Sequence, residues 1–502
     1  MSARRNWLAH LGFLLAGGLL VSACNGTVLS TEGLGLGRTT ADGRSAAQGP
    51  KVSVESVQAR DPQSRVGARE HPRILSLYGG VYRNSDVERL VALIVSRLVE
   101  QTSETDRAYQ ITILDSPSVN AFALPGGFIY VTRGLVALAN DSSELAAVIA
   151  HEMGHVAASH GIKRNERART AAVRGRVVRD LLSGGDPTRE TLDKLSLARF
   201  SRNQELEADR LGVELAGKGG FDPYAQARYL RSMQVFSSWK AGGGRRPDGL
   251  DFLSTHPSAP RREELARAEA AKVGPPGIGD RDRDRYLQGI DGLTFGDKPE
   301  EGFVRGRTYS HPGLAITFTV PEGFRLDNRA EAIVASGPGD KAIRVDAAPL
   351  PKGRSLNDYL NSGWIGGLSD QPPVQTQING LDALRAKASS EGWVFDITLM
   401  KSGERVYRLI TAAPKATSGE AVTRVGEQVA QSFRGMSREE VAALRPLQIE
   451  IARMRSGQTI EALARSRMSW TDDGAGLIRA LNGLSPGAQP SPGTRLKLVV
   501  ER

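Results

Sequence analysis

The sequence predicts a multidomain α+β protein: a mainly helical domain with a small sheet, then a strand-rich α+β domain of sandwich type, then a small βααβ module. Three observations lead there. At 502 residues the chain exceeds what one core sustains. Apolar residues recur at helical spacing between about residues 85 and 155. From about residue 305 the pattern changes to alternation of period two.

Composition sets the remaining bounds. Hydrophobic residues at 40% and charged residues at 24% are ordinary for a globular chain. The net charge of +10 is dispersed, apart from an arginine-rich stretch between Lys163 and Arg179, so a solvated surface is expected and no nucleic-acid partner.

Arg4 and Arg5 precede an apolar run from Leu11 to Val21, too short to span a bilayer, which reads as an export signal. It ends in Val21-Ser22-Ala23-Cys24, which resembles a lipoprotein signal box. Cys24, the single cysteine, is then the lipidation site, and no disulfide is possible within one chain. Asn25, rather than aspartate, follows it, which by the same resemblance implies sorting to the periplasmic face of the outer membrane.

Residues 24–70 are rich in Gly, Ser, Thr and Arg and read as a tether, with order expected from His71. Val87, Leu90, Val91, Ile94 and Leu98 predict a helix capped near Ser85-Asp86. Strands are expected at Tyr109–Leu114 and Phe128–Val131, with Pro125-Gly126-Gly127 turning into the second. A capping-box pattern, Asp141-Ser-Ser-Glu144, opens the helix that runs into His151. The Gly- and Arg-rich segment 235–250 is a candidate mobile loop.

In the second domain, Trp393, Phe395, Ile397 and Leu399 alternate before a Lys401-Ser-Gly-Glu404 turn, a pattern that resembles PsbP/Mog1-like folds. The terminal segment pairs Ile449–Arg453 with Leu496-Lys497-Leu498 around two short helices and resembles a LysM module, which implies binding to peptidoglycan. The expected domains are 1–23 (signal), 24–70 (tether), 71–300, 301–440 and 445–502.

The chemistry concentrates in one stretch. Of seven histidines, His151, His155 and His160 lie together. His151 and His155 are four apart, so on a helix both imidazoles reach one ion. His160 lies about 140° further round, and is read as backing a ligand or facing solvent. Glu152 sits where its carboxylate can take a proton from water, as a general base. Two imidazoles and a carboxylate suit one Zn²⁺ with an open fourth position. Gln204-Glu205-Leu206-Glu207-Ala208-Asp209 is the best supply of that carboxylate: Glu205 and Asp209 share a helix face, Glu205 for the metal and Asp209 to orient a histidine.

These motifs, with Asn120-Ala-Phe-Ala-Leu-Pro-Gly-Gly-Phe128 and Thr255-His256-Pro257-Ser258, resemble the gluzincin metallopeptidases of the CAAX-prenyl-protease and HtpX type, BepA-like exported branch, over about residues 71–275. The resemblance implies a zincin-type domain with Glu205 as third ligand and Asp209 as orienting residue. It implies that strand residues Asn120, Ala121, Phe122 and Ala123 pair with substrate backbone. It also places His256 near the metal, either stabilising the transition state or closing the site as a fourth ligand. Unfolded or misassembled envelope proteins are the implied substrates. Two other readings compete: a cell-wall-docked zinc-binding chaperone or adaptor, and a zinc hydrolase of peptidoglycan peptides.

Overall fold

The structure, a computed structural model, describes residues 63–102, 108–163, 201–242, 252, 256, 261–329, 332–369, 371–390, 392–417 and 419–502. Cys24 and the signal, the tether as far as residue 62, the arginine-rich stretch beyond Lys163, residues 243–250, and Thr255, Pro257 and Ser258 lie outside the described residues. The chain falls into two compact units. One holds the described residues of Val54–Thr317, Arg325–Ala330 and Gly435–Arg502, the other those of Phe318–Phe324 and Glu331–Arg434.

In the first unit, helix α1 (Ser64–Leu77) begins ahead of His71, where order was expected. The cause is tertiary: Ser64 Oγ donates to the Gly126 carbonyl, and Gly67 lies tight against the Phe128 ring. Helix α2 (Ser85–Val99) buries the five expected apolar residues, and its cap is Asn84, whose side chain accepts from the Asp86 and Val87 amides.

Strands β1 (Gln110–Leu114), β2 (Ala121–Leu124) and β3 (Phe128–Thr132) form a sheet in the order β1-β3-β2, with β1 parallel to β3 and β2 antiparallel to it. The β2–β3 turn needs left-handed backbone at Gly126 and Gly127 (φ +87° and +80°), which glycine adopts without strain. Alternation sorts the side chains by face. Ala121, Ile129 and Val131 enter the main core, while Phe122, Leu124, Phe128 and Tyr130 pack with Ile74 and Tyr78 around α1. Among the described residues, strand β2 is an edge.

Thr132 caps the short helix α3 (Arg133–Leu138), and Asp141 caps α4 (Ser142–Ala157) by accepting from the Glu144 amide. The expected capping box is displaced by one residue: the Glu144 carboxylate accepts from the Asn140 amide instead. Helices α5 (Arg202–Lys218), α6 (Ala225–Gly242), α7 (Arg262–Val273) and α8 (Arg283–Gly289) follow, then strand β4 (Thr294–Phe295).

The second unit is built on an antiparallel sheet. Strands β5 (Ala332–Ser336), β6 (Ala342–Pro349), β7 (Val374–Ile378), β8 (Leu381–Ser390), β9 (Trp393–Ser402) and β10 (Arg405–Pro414) run in the order β7-β8-β9-β10-β6-β5. Helix α9 (Gly419–Ser432) packs on β9 and β10. The expected β9–β10 hairpin forms with Ser402 opposite Arg405.

The terminal segment has strand β11 (Leu447–Arg453), helices α10 (Ile460–Arg467) and α11 (Gly474–Leu481), and strand β12 (Arg495–Glu501), with β11 and β12 paired antiparallel. It shares its core with the first unit: Ile449, Leu477, Leu481 and Leu498 pack in one cluster with Leu138, Leu145 and Ile149. Strand β11 also pairs with β4. Lys497 is fully buried, and its ammonium donates to the carbonyls of Ala137, Leu138 and Ala139, each at 2.8 Å, completing the end of α3. Among the described residues no helix is long and apolar enough to cross a membrane.

Candidate metal centre

Helices α4 and α5 can deliver ligands to one point because small residues let them touch. A Cβ on Gly212 would stand 2.8 Å from the His151 amide nitrogen, and one on Gly154 would stand 3.1 Å from the Ala208 carbonyl. This close crossing sets His151 and His155 of α4 against Glu205 of α5.

The ligand-bearing atoms converge. His151 Nε2 and His155 Nε2 are 3.1 Å apart, His155 Nε2 is 3.5 Å from Glu205 Oε1, and His151 Nε2 is 3.8 Å from Glu205 Oε2. His256 joins them, with Nδ1 at 3.0 Å from Glu205 Oε1 and 3.3 Å from His151 Nε2. All four residues are at most 2% exposed. Their donor atoms lie within 4.8 Å of one another, so the group could hold one metal ion.

The donor set fits zinc. Bonds of about 2.0–2.1 Å in a tetrahedron require donors about 3.3 Å apart, close to the separations here. Behind His151, Nδ1 faces Asp209 Oδ1 at 2.9 Å; behind His155, Nδ1 faces His160 Nδ1 at 3.0 Å. With the outer nitrogens engaged in this way, the inner ones turn lone pairs toward each other, a repulsion that a cation relieves.

Glu152 lies beside this cluster, fully buried, with Oε1 at 3.5 Å from His256 Nε2. Burial pushes its carboxyl up to about 7, and the Glu205 charge adds to this against His151, Arg262 and the Ala123 amide. Burial also acts to raise Glu205, but His256, His151 and Arg262 outweigh it and hold that carboxyl below its ordinary value. Asp209 follows the same logic more strongly: burial is overcome by hydrogen bonds from His151 and Arg262, and it stays well below the usual carboxylate range. Burial, then the neighbouring His151, lowers His155 well below an ordinary histidine.

The sequence reading missed Arg262. Its guanidinium clamps Asp209 through Nε and Nη2 at 2.8 and 2.7 Å and reaches Glu205 Oε2 through Nη1 at 2.9 Å. Gln226 donates to Asp209 Oδ1 at 2.9 Å. No local signal marked it: Arg262 stands in the run Arg261-Arg262-Glu263-Glu264, whose adjacent acids make it read as a solvated helix start.

His256 is held from both sides. Its ring stacks on Phe252 at 4.3 Å, its amide donates to the Phe252 carbonyl, and the Phe252 amide donates to Val119, just ahead of β2. Immediately before β2, Asn120 is buried and donates to the Tyr78 hydroxyl, and on β2 Phe122 stacks on Tyr130. The β2 backbone itself pairs, among the described residues, with β3 alone.

Comparison with known proteins agrees with this geometry. Residues 83–270 match the family described as Peptidase family M48. The mitochondrial metalloendopeptidase OMA1 of Schizosaccharomyces pombe is 28% identical over 205 residues, covering 40% of this chain and 59% of that protein. OMA1 of Arabidopsis thaliana is 34% identical, covering 32% of this chain and 31% of its own length. The beta-barrel assembly-enhancing protease of Yersinia pestis is 28% identical over 268 residues, covering 49% of this chain and 54% of that protein. The chain thus spans between about a third and three-fifths of these relatives. With a matching domain and a buried ligand cluster inside it, residues 83–270 are a domain of peptidase family M48, a family of zinc metallopeptidases.

Proposed function

We propose that this chain is a zinc endopeptidase of the bacterial cell envelope that hydrolyses peptide bonds in misfolded or misassembled proteins. The observation that carries the reading is Glu152: a fully buried carboxyl, pushed up to about 7, between the ligand cluster and the Ala123 amide of an edge strand. A structural metal site has no use for such a group.

His151, His155 and Glu205 would hold the metal, with Asp209 and Arg262 fixing two of them from behind. Zinc, when bound, supplies Lewis acidity that polarises a peptide carbonyl and acidifies water. Glu152 takes a proton from the attacking water and passes it to the leaving amine as the C–N bond breaks, so the base is restored. An extended substrate segment adds to the sheet along Asn120–Ala123, which presents backbone beside Glu152 and selects for unfolded chain over particular side chains. Cys24 would tether the enzyme through lipid to the periplasmic face of the outer membrane, and the terminal LysM-like segment would meet peptidoglycan.

One observation favours a second reading. His256 fills the fourth corner of the cluster, and its Nε2 faces the base. In that arrangement zinc is enclosed and no substrate carbonyl reaches it, so a zinc-holding chaperone or adaptor, or a latent protease, follows from the same atoms.

The test is cleavage of unfolded casein by the form beginning after Cys24, with and without a chelator. Chelator-sensitive cleavage, restored by zinc, supports the endopeptidase. Zinc at one equivalent without cleavage supports the second reading.

A further inference from the structure

His160 stands five residues beyond His155, after the helix that carries the two histidine ligands has ended. Two features bring it back. Helix α4 stops at Ala157, and Ser159 adopts a left-handed conformation, φ +54°, which an L-residue enters only when its surroundings require it. The turn folds the imidazole of His160 under that of His155, with ring centres 5.0 Å apart and planes at 70°. His160 Nδ1 then lies 3.0 Å from His155 Nδ1, and His160 Nε2 lies 3.1 Å from Glu207 Oε2. His160 is fully buried, although its side chain follows a helix end and the Glu207 carboxylate is half exposed.

We propose that His160 is a positioning residue which, with Glu207, fixes the tautomer of His155 and holds its Nε2 on the metal. This rests on the zinc reading above.

With Glu207 ionised and His160 neutral, the hydrogen-bond directions leave one assignment. An ionised Glu207 can only accept, so His160 Nε2 donates to it. The neutral His160 ring then carries its lone pair on Nδ1, and that nitrogen accepts from His155 Nδ1–H. His155 is left with its lone pair on Nε2, the atom that faces His151 Nε2 and Glu205. Two links away from the ion, a surface carboxylate thereby sets which nitrogen of His155 binds.

The two histidine ligands are held differently. His151 faces a carboxylate directly, and that carboxylate is clamped by Arg262 and Gln226 in the interior. His155 leans on a neutral ring backed by an acid at the surface. All of the backing acids come from α5: Asp209 shares the face of Glu205, and Glu207, which points elsewhere, is reachable because His160 lies past the end of α4. The spacing Glu205-Leu206-Glu207-Ala208-Asp209 therefore places one carboxylate on the metal and one behind each histidine.

The experiment is zinc affinity, measured by competition with a chromophoric chelator, for the form beginning after Cys24. His160→Leu, His160→Asn and Glu207→Ala are compared with wild type, with Glu214→Gln, exposed on the same helix, as control. Loss of a ligand's orienting partner weakens metal binding about 10–100-fold; His160→Leu is expected in that range and Glu207→Ala severalfold. His160→Asn keeps an acceptor where Nδ1 was and is expected to recover most of the affinity, which a merely space-filling role would not give. In the zinc-loaded protein, nitrogen–proton correlation spectra should show His155 protonated at Nδ1 in wild type, with that proton exposed to rapid exchange in Glu207→Ala, a variant at the surface that leaves the core intact.

Affinities in His160→Leu and Glu207→Ala equal to wild type, or zinc on Nδ1 of His155, would overturn this inference alone. A wild-type protein that takes up no zinc would overturn it together with the metal reading.

Discussion

Asp209 Oδ1 lies 2.9 Å from His151 Nδ1 while both of its oxygens are gripped by Arg262, so one buried acid joins His151 of α4 to Arg262 of α7. Neutralising that acid disturbs both partners. Asp209→Asn is expected to weaken zinc binding about 10–100-fold without touching a ligand, as read by chelator competition. Unchanged affinity would show that the Asp209–His151 pair does not orient the ring.

The Glu152 carboxyl makes a statement about stability in the zinc-free protein. Its folded value is about 7 against an ordinary 4.5, so folding favours the protonated form. The resulting penalty is absent below about pH 4.5, grows as pH rises, and is fully present above pH 7. It amounts to about 3 kcal/mol there. Glu152→Gln should therefore be more stable than wild type at pH 8 and equal to it near pH 4, by urea denaturation of metal-free protein. Equal stability at both pH values would contradict the burial of this charge.

Gly212 meets the backbone of Ala150 and His151 at 2.8–3.1 Å once a Cβ is added, and backbone cannot swing aside. Gly212→Ala must separate α4 from α5 and carry Glu205 away from the histidines. The expectation is a loss of about 1–3 kcal/mol from overpacking, together with weaker zinc binding. A variant as stable and as tightly metal-bound as wild type would show that the crossing tolerates more space than the structure allows.

Burial pushes the Lys497 amine well below the ordinary lysine range, with Arg283 adding to the effect and Glu144 and Asp141 opposing it. Lys497→Met keeps the length of the side chain but leaves the carbonyls at 137–139 without their donor. Each orphaned buried acceptor costs about 1–3 kcal/mol. Denaturation should shift accordingly, and because α3 leads directly into the cap of α4, zinc binding should weaken with it. No change in either would mean that the terminal segment does not support the site.

What could be read in the sequence was whatever depends on local spacing. His151 and His155 four apart on a helix, and Glu205 with Asp209 four apart on another, needed only the helical period, and the structure brings these residues together. The hairpin at Ser402–Arg405 likewise followed from alternation and a glycine turn. What could not be read depends on tertiary geometry. Arg262 looks like any surface arginine until Asp209 and Glu205 are placed around it. His160 is legible only once α4 is known to stop at Ala157. Lys497 sits between two leucines in an alternating strand, a pattern that normally turns the charge to solvent. Here both faces of β12 are covered, and nothing local says which neighbour covers them.

The most direct measurement is proteolysis by Glu152→Gln beside wild type, in the form beginning after Cys24, with zinc content measured in both. The account predicts one zinc per chain in each, chelator-sensitive cleavage of casein by wild type, and loss of that cleavage in the variant. Cleavage by a zinc-loaded Glu152→Gln at the wild-type rate would contradict the central claim that Glu152 moves the proton.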